Sequence, residues 1–316
     1  MSHNVNFAYA RHALVAALQH LGARSGDLVA IPEFICRDVL ASLHHVGAQP
    51  HFYPVGRDLR PLTSSIDEST RFVLMVNYFG FAQNVSEFRL IWPNAQIIED
   101  NAHGYLSRDE TGMDLGTRTE AGITSCRKTF LLPDGAMLHT ASQPEHQFPS
   151  VVESRNPPLS FTVHALATRF ERATGIPFNF ALRAIRRAVR KARTGSTLPR
   201  SDERSETELP HDVQMSRVAL RILESINEDQ EIQRRRQLFR DFSDFASSNG
   251  VEAVFGELPP GCAPYGFPFF ARTPLPALER FARHHHCEVI SWPDLPGAIS
   301  VSADHFYRQV RVVNFL

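Results

Sequence analysis

The sequence lacks a charge imbalance, a long apolar run and a cysteine framework. Lys and Arg number 33 against 34 Asp and Glu, a formal net charge of -1. No global field therefore recruits nucleic acid or another polyanion. No stretch approaches the roughly 20 apolar residues of a membrane span. The polar start, Met1 to Asn6, has no apolar signal core behind it, so the cytoplasm is the expected location. The four cysteines, Cys36, Cys126, Cys262 and Cys287, form no Cys-x-x-Cys pair. That argues against a zinc knuckle or a dithiol redox pair and fits independent reduced thiols. His284-His285-His286 looks metal-like, but adjacent helical residues point in different directions, so no metal site is expected.

What is present suits an ordinary soluble globular protein. A chain of 316 residues, 43% hydrophobic, can bury a substantial core and hold two domains. Its first 140 residues alternate helix-like and strand-like segments. Ala10 to Leu21 reads as a helix, Leu28 to Ile31 as a short strand stopped by Pro32, and Arg37 to His45 as a helix closed by Gly47. His51 to Val55, Phe72 to Val76 and Gln96 to Glu99 read as strands, with a helix over Val85 to Trp92. Phe72 to Val76 is apolar throughout, as a strand covered on both faces should be. The rhythm predicts an α/β fold with a doubly wound, mostly parallel sheet. Ligands of such sheets bind at the carboxyl ends of the strands, here after Ile31, Val76, Ile98 and Thr124.

The expected division is a large domain over 1–210 and a small α/β domain over 211–316. Within the first, 150–210 forms an insertion and linker. Phe178, Leu182, Ile185 and Val189 fall at helical spacing there, with Arg183, Arg186, Arg187 and Arg190 on other faces. This basic helix reads as a solvated face, or else as a contact for a nucleotide diphosphate or an acidic membrane. Met215 to Gln237 reads as one long helix, and Phe239 to Ser248 continues the pattern. Tyr265 to Ala271 and Glu288 to Trp292 read as strands around a helix at Leu275 to His284.

Three motifs at strand ends or helix starts fit one cofactor, pyridoxal phosphate. Ser125-Cys126-Arg127-Lys128 follows the apolar stretch Ala121 to Thr124. A lysine there can bind an aldehyde cofactor covalently, and Ser125 can reach its phosphate. A solvated surface lysine is the plain alternative. Asp100 follows the strand ending in Ile98 and can keep the cofactor's ring nitrogen protonated, or can simply cap a helix. His103, three residues on, can pack against the ring or lie at the surface. Ala10 and Arg11 open the first helix, whose free N–H groups suit a phosphate.

Taken together, these motifs resemble those of the DegT/DnrJ/EryC1/StrS family of sugar aminotransferases. Ala10-Arg11-His12-Ala13-Leu14 stands where members carry a helix-start phosphate motif. Gly26-Asp27-Leu28-Val29-Ala30-Ile31-Pro32, Gly47-Ala48-Gln49-Pro50, Asn77-Tyr78-Phe79-Gly80 and Glu99-Asp100-Asn101-Ala102-His103 match further landmarks in order. Lys128 follows Asp100 by 28 residues, and Pro133-Asp134-Gly135-Ala136 resembles the turn after the family lysine. The likeness resumes at Met215-Ser216, Arg234-Arg235, Pro264 to Phe269 and Trp292-Pro293.

The resemblance implies a fold-type I, pyridoxal phosphate-dependent homodimer. It would move an amino group, with glutamate as the expected donor, to a keto sugar that is usually nucleotide-linked. By carry-over Lys128 is catalytic and holds the cofactor. Asp100 pairs with the ring nitrogen, His103 supports the ring, and Ser125, Ala10 and Arg11 surround the phosphate. The chain departs from the family pattern in having Ala10 for Gly, Arg11 for Thr, and Ile123 where a serine stands five residues before the lysine. The end at Arg311 to Leu316 reads as a stop inside the small domain. These departures keep open a catalytically weak or inactive homologue that binds a ligand or partner. A third reading, dehydration of a deoxysugar, is disfavoured because the family's dehydratases replace the lysine with histidine.

Overall fold

The computed structural model describes residues 3–62, 69–143, 156–174, 203–300 and 305–316. Strand β1 (His3–Phe7) leads into helix α1 (Ala10–His20), which is followed by β2 (Leu28–Pro32), α2 (Leu40–Val46) and β3 (Gln49–Tyr53). Next come β4 (Thr70–Val76), α3 (Val85–Ile91), β5 (Gln96–Asn101), β6 (Ala121–Thr124), the one-turn α4 (Cys126–Thr129) and β7 (Ala136–Thr140). Helix α5 (Leu159–Thr174) precedes α6 (Arg217–Glu224) and α7 (Glu228–Ser248). The chain continues through β8 (Gly266–Phe270), α8 (Pro276–His284), β9 (Glu288–Ser291) and β10 (Val310–Asn314).

Seven strands form one sheet in the order β1-β7-β6-β5-β4-β2-β3. The run from β3 to β6 is parallel, and β7 is antiparallel to both β6 and β1. A second, antiparallel sheet has the order β8-β10-β9. The doubly wound reading therefore holds, with the sheet built entirely from residues 3–140. The apolar run of β4 lies in its middle, and Phe72 to Met75 are buried. Gly47 ends α2 in the left-handed region, at φ 73, which lets the chain turn directly into β3.

Three strands went unread in the sequence. β1 offers only Val5 and Phe7 on one face, β7 carries His139 and Thr140, and β10 is a short Val-Arg-Val-Val-Asn run that breaks strict alternation at Val312-Val313. Each is fixed by pairing with a strand far away in sequence, which local periodicity does not report. The single helix expected over 215–237 is also corrected. It breaks between Glu224 and Glu228, where Asn227 caps α7 by accepting the Gln230 N–H at 3.0 Å. Glu228, Asp229 and Glu231 fill the first turn of α7, as a helix N-terminus favours. The basic segment expected over 178–193 lies outside the described residues.

One apolar core joins the two sheets. Phe239 and Phe242 of α7 pack with Phe267 of β8, and Phe81 stacks on Phe255 at 4.0 Å between ring centroids. A second cluster holds α4: Cys126 and Phe130 pack with Met215, Ala219 and Leu223 of α6 and its approach. Each such side chain, fully buried, contributes about 1.5–3 kcal/mol. The turn that carries Lys128 is thus held from both ends.

Candidate active site

The carboxyl ends of β4, β5 and β6 converge on a narrow pocket. Its walls include Cys36, Asn77, Asp100, His103, Lys128 and Trp292. Its empty volume, open side included, is about 310 Å³.

Glu99 and Asp100 are neighbours on β5 and so project to opposite faces. Asp100 turns to the pocket. It is 6% exposed and accepts a hydrogen bond from the Ala102 N–H at 2.9 Å. Burial raises its carboxyl above the ordinary range, against the pull of the Lys128 charge and the Ala102 N–H. A buried carboxyl at this strand end calls for a cationic partner. Glu99 already has one: the Arg118 Nε donates to its Oε1 at 2.8 Å, and the Arg118 backbone N–H donates to Oε2 at 3.1 Å. Asn77 Nδ2 donates to the same carboxylate at 2.7 Å. The loop carrying Arg118 crosses close to β6 because residue 122 is glycine; a Cβ there would fall 1.9 Å from the Gly116 carbonyl oxygen.

Lys128 sits on α4, with its Nζ 3.4 Å from His103 Nε2. Burial holds His103 well below ordinary histidine basicity, and the Lys128 charge adds to this. His103 is therefore a neutral neighbour for the lysine amine. Its ring stacks with Tyr265 at 4.4 Å and with Phe79 at 5.6 Å, and Trp292 meets it edge-on at 5.1 Å. Phe79 reaches this position from a left-handed backbone, φ 56 and ψ 19.

Of the residues expected around the phosphate, Ser125 is 1% exposed and its Oγ has no hydrogen-bond partner. Ala10 and Arg11 open α1, whose N-cap, Tyr9, makes no side-chain cap. Arg11 lies 3.6 Å from the Asp38 carboxylate. The structure thus brings Asp100, His103 and Lys128 to one pocket, whereas Ser125, Ala10 and Arg11 are not among the residues that line it. A ring with a protonated nitrogen, an aldehyde and an anionic ester fits this donor set. Among the described residues no cluster of His, Cys, Asp or Glu fits a metal, and no helix is long and apolar enough to cross a membrane.

Residues 1–157 match the model of the DegT/DnrJ/EryC1/StrS aminotransferase family. This half of the chain belongs to that family. It contains the whole seven-stranded sheet, Asp100 and Lys128. Solved structures of similar fold include a DegT DnrJ EryC1 StrS aminotransferase from Brucella abortus. That protein is 16% identical over 99% of this chain and 80% of its own, with a TM-score of 0.60. Helicobacter pylori PseC, an aminotransferase involved in the biosynthesis of pseudoaminic acid, is 12% identical over 99% of this chain and 81% of its own, with a TM-score of 0.63. E. coli GDP-4-keto-6-deoxy-D-mannose-3-dehydratase, solved with hydrated pyridoxal phosphate, is 14% identical over 99% and 83%, with a TM-score of 0.61. The sequence has no match among proteins of curated function. The architecture is that of fold-type I enzymes, as the resemblance implied.

Several residues of this DegT-type site were not legible in sequence. Trp292 was read as a landmark, yet it lines the pocket from the second sheet. Arg235 was read within a helix pattern and as a landmark without a role, yet its fully buried guanidinium donates to the carbonyls of Pro264, Tyr265 and Thr129 and pairs with Glu231 at 2.7 Å. It thereby ties α7 to the residue after Lys128. Neither contact has a short-range signal.

Burial also sets a pH response. His103 and His139 are both held below ordinary basicity, chiefly by loss of solvent. The unfolded chain then binds protons more readily than the folded one once pH falls below the ordinary histidine value of 6.5. Stability is full above that pH and declines below it, by at most about 1.4 kcal/mol per histidine per pH unit. Tm measured by calorimetry should fall between pH 7.5 and pH 5.5. An equal or higher Tm at pH 5.5 would refute this burial effect.

Proposed function

We propose that this chain is a pyridoxal phosphate-dependent aminotransferase that delivers an amino group to a keto sugar, in its nucleotide-linked form, with glutamate as donor. The observation that carries the proposal is the meeting of Asp100 and Lys128 in one pocket at the carboxyl edge of a parallel sheet. The family match over the same residues supports the reaction class. The sugar class draws support from the fold's company, which includes PseC of pseudoaminic acid biosynthesis. A structure of a dehydratase with bound GDP-perosamine adds to it. We place the cofactor domain in residues 1–210 and the smaller domain in 211–316. The working form is a homodimer in the cytoplasm.

When bound, the cofactor supplies an electron sink for breaking bonds at the amine-bearing carbon. Lys128 Nζ would hold it covalently and would move a proton between the two carbon centres. The Asp100 carboxylate would keep the ring nitrogen protonated and fix the ring's orientation. His103, neutral beside Nζ, offers an acceptor without competing for charge. Trp292, Phe79 and Tyr265 keep water from this side of the site. Ser125, Ala10 and Arg11 line the phosphate end.

The test is spectroscopic. The purified chain mixed with pyridoxal phosphate should develop the visible absorption of a lysine-bound cofactor, and borohydride should fix that cofactor to Lys128 in a peptide map. Glutamate should bleach the band, and a keto sugar nucleotide should restore it. No band, or label on another lysine, overturns the proposal; a band that glutamate leaves unchanged turns the reading to an inert binding homologue.

A further inference from the structure

The turn that carries Lys128 has a second cation that the family-based reading leaves unused. Arg127 precedes Lys128 on α4, and its Nε is buried without a hydrogen-bond partner. Its guanidinium carbon lies 5.0 Å from the centre of the Tyr9 ring. Tyr9 is the N-cap of α1, and Arg11 stands in that helix's first turn. Burial lowers the basicity of Arg127, and the Arg11 charge lowers it further. The nearest carboxylate, Asp38, is half exposed and 3.6 Å from Arg11.

The charge count here is unbalanced. Two guanidiniums and an uncapped helix N-terminus share one half-exposed carboxylate. A partly buried guanidinium whose Nε–H is enclosed and idle is costly unless an acceptor completes it. Ser125 Oγ, two residues before Arg127, is likewise buried and idle. The turn from the β6 end into α4, which carries Lys128, thus leaves two polar side chains unsatisfied, and the α1 start near it has no side-chain cap. Planar N–H donors match a phosphate better than a single hydroxyl does, since they bind two oxygens at once.

We infer that Arg127, seconded by Arg11 and Ser125, seats the phosphate ester of the cofactor, resting on the function proposed above. Arg11 stands where the family pattern has threonine, so the hydroxyl contact missing there is replaced by guanidinium. Arg127 is a binding and positioning residue: it fixes the cofactor's anionic end, and with it the distance from the aldehyde to Lys128.

The experiment compares pyridoxal phosphate with pyridoxal, which lacks the phosphate. Their affinities are read from the visible band and from quenching of tryptophan fluorescence, for wild type, Arg127→Gln and Arg127→Lys. Arg127→Gln should weaken pyridoxal phosphate by roughly 10- to 100-fold, the loss of one charge-assisted contact, and leave pyridoxal within about 3-fold. Arg127→Lys, which keeps the charge but not the fork, should fall between. UDP affinity should be the same in all three proteins. Equal loss for both aldehydes, or none for either, overturns the inference. So does a loss for UDP alone, which would assign the seat to a nucleotide substrate. A wild type that binds neither aldehyde refutes the proposed function itself and this seat with it.

Discussion

Lys128→Ala is expected to lower amino transfer from glutamate by at least roughly 10³-fold, within the range lost when a positioned acid–base group is removed. The loss should be in kcat, because the rest of the pocket still binds cofactor and substrate. Lys128 lies on a one-turn helix whose packing rests on Cys126 and Phe130, not on the lysine itself. Its side chain makes one polar contact, to His103 Nε2 at 3.4 Å. Its removal takes away the cation that offsets the buried Asp100 carboxyl, which burial already makes easier to protonate, so Tm should move by no more than a few degrees. His103 is the nearest base left in the variant, but its ring is held among Tyr265, Phe79 and Trp292. It is not free to follow a proton from one carbon to the next. Stopped-flow bleaching by glutamate measures the step directly. A variant that retains more than a tenth of the wild-type rate would show that Lys128 is not the proton carrier.

The contrast between Lys128 and its neighbours explains what the sequence could reveal. Strands β2, β4 and β5 were legible because each is an apolar run closed by a residue of special chemistry: Pro32, Asn77 or Asp100. A buried parallel strand is apolar along most of its length, so a cluster of polar residues at its carboxyl end, such as Glu99 and Asp100, points to the functional edge of the sheet. Asp100 and Lys128 stood out for that reason. Trp292, Arg235 and Arg118 did not, because their partners lie far away in the chain. Trp292 meets Phe79 and His103, and Arg235 meets Thr129 across 106 residues. Arg127 stood inside the lysine motif with no role of its own; an idle guanidinium nitrogen becomes visible when its surroundings are known. The break before Asn227 was hidden for the opposite reason, since the apolar spacing on both sides of it continues almost in phase.

Arg118→Met is expected to destabilise the fold by about 3–5 kcal/mol, the cost of leaving a buried charge without its partner. Glu99 has no solvent exposure, and the Arg118 side chain is 6% exposed. Beyond the ion pair, Arg118 donates to the Gln83 carbonyl at 3.1 Å and to Asn77 Oδ1 at 3.1 Å. Its loss strips donors from three acceptors at once. Asn77 Nδ2 still reaches Glu99, but a neutral amide does not neutralise a carboxylate. The double variant Glu99→Met with Arg118→Met should recover much of the loss, because well-packed apolar groups often replace a buried ion pair at little cost. Urea denaturation reads both, with the slope unchanged if the denatured state is the same. A single variant within 1 kcal/mol of wild type would mean that Glu99 is not held as a charge. The consequence reaches the active site through one peptide bond. Glu99 anchors one face of β5 while Asp100 turns to the other, so loosening the pair should also weaken pyridoxal phosphate binding in the folded fraction. The double variant should restore stability more fully than affinity, since methionine fills the space but does not fix the strand end that aims Asp100.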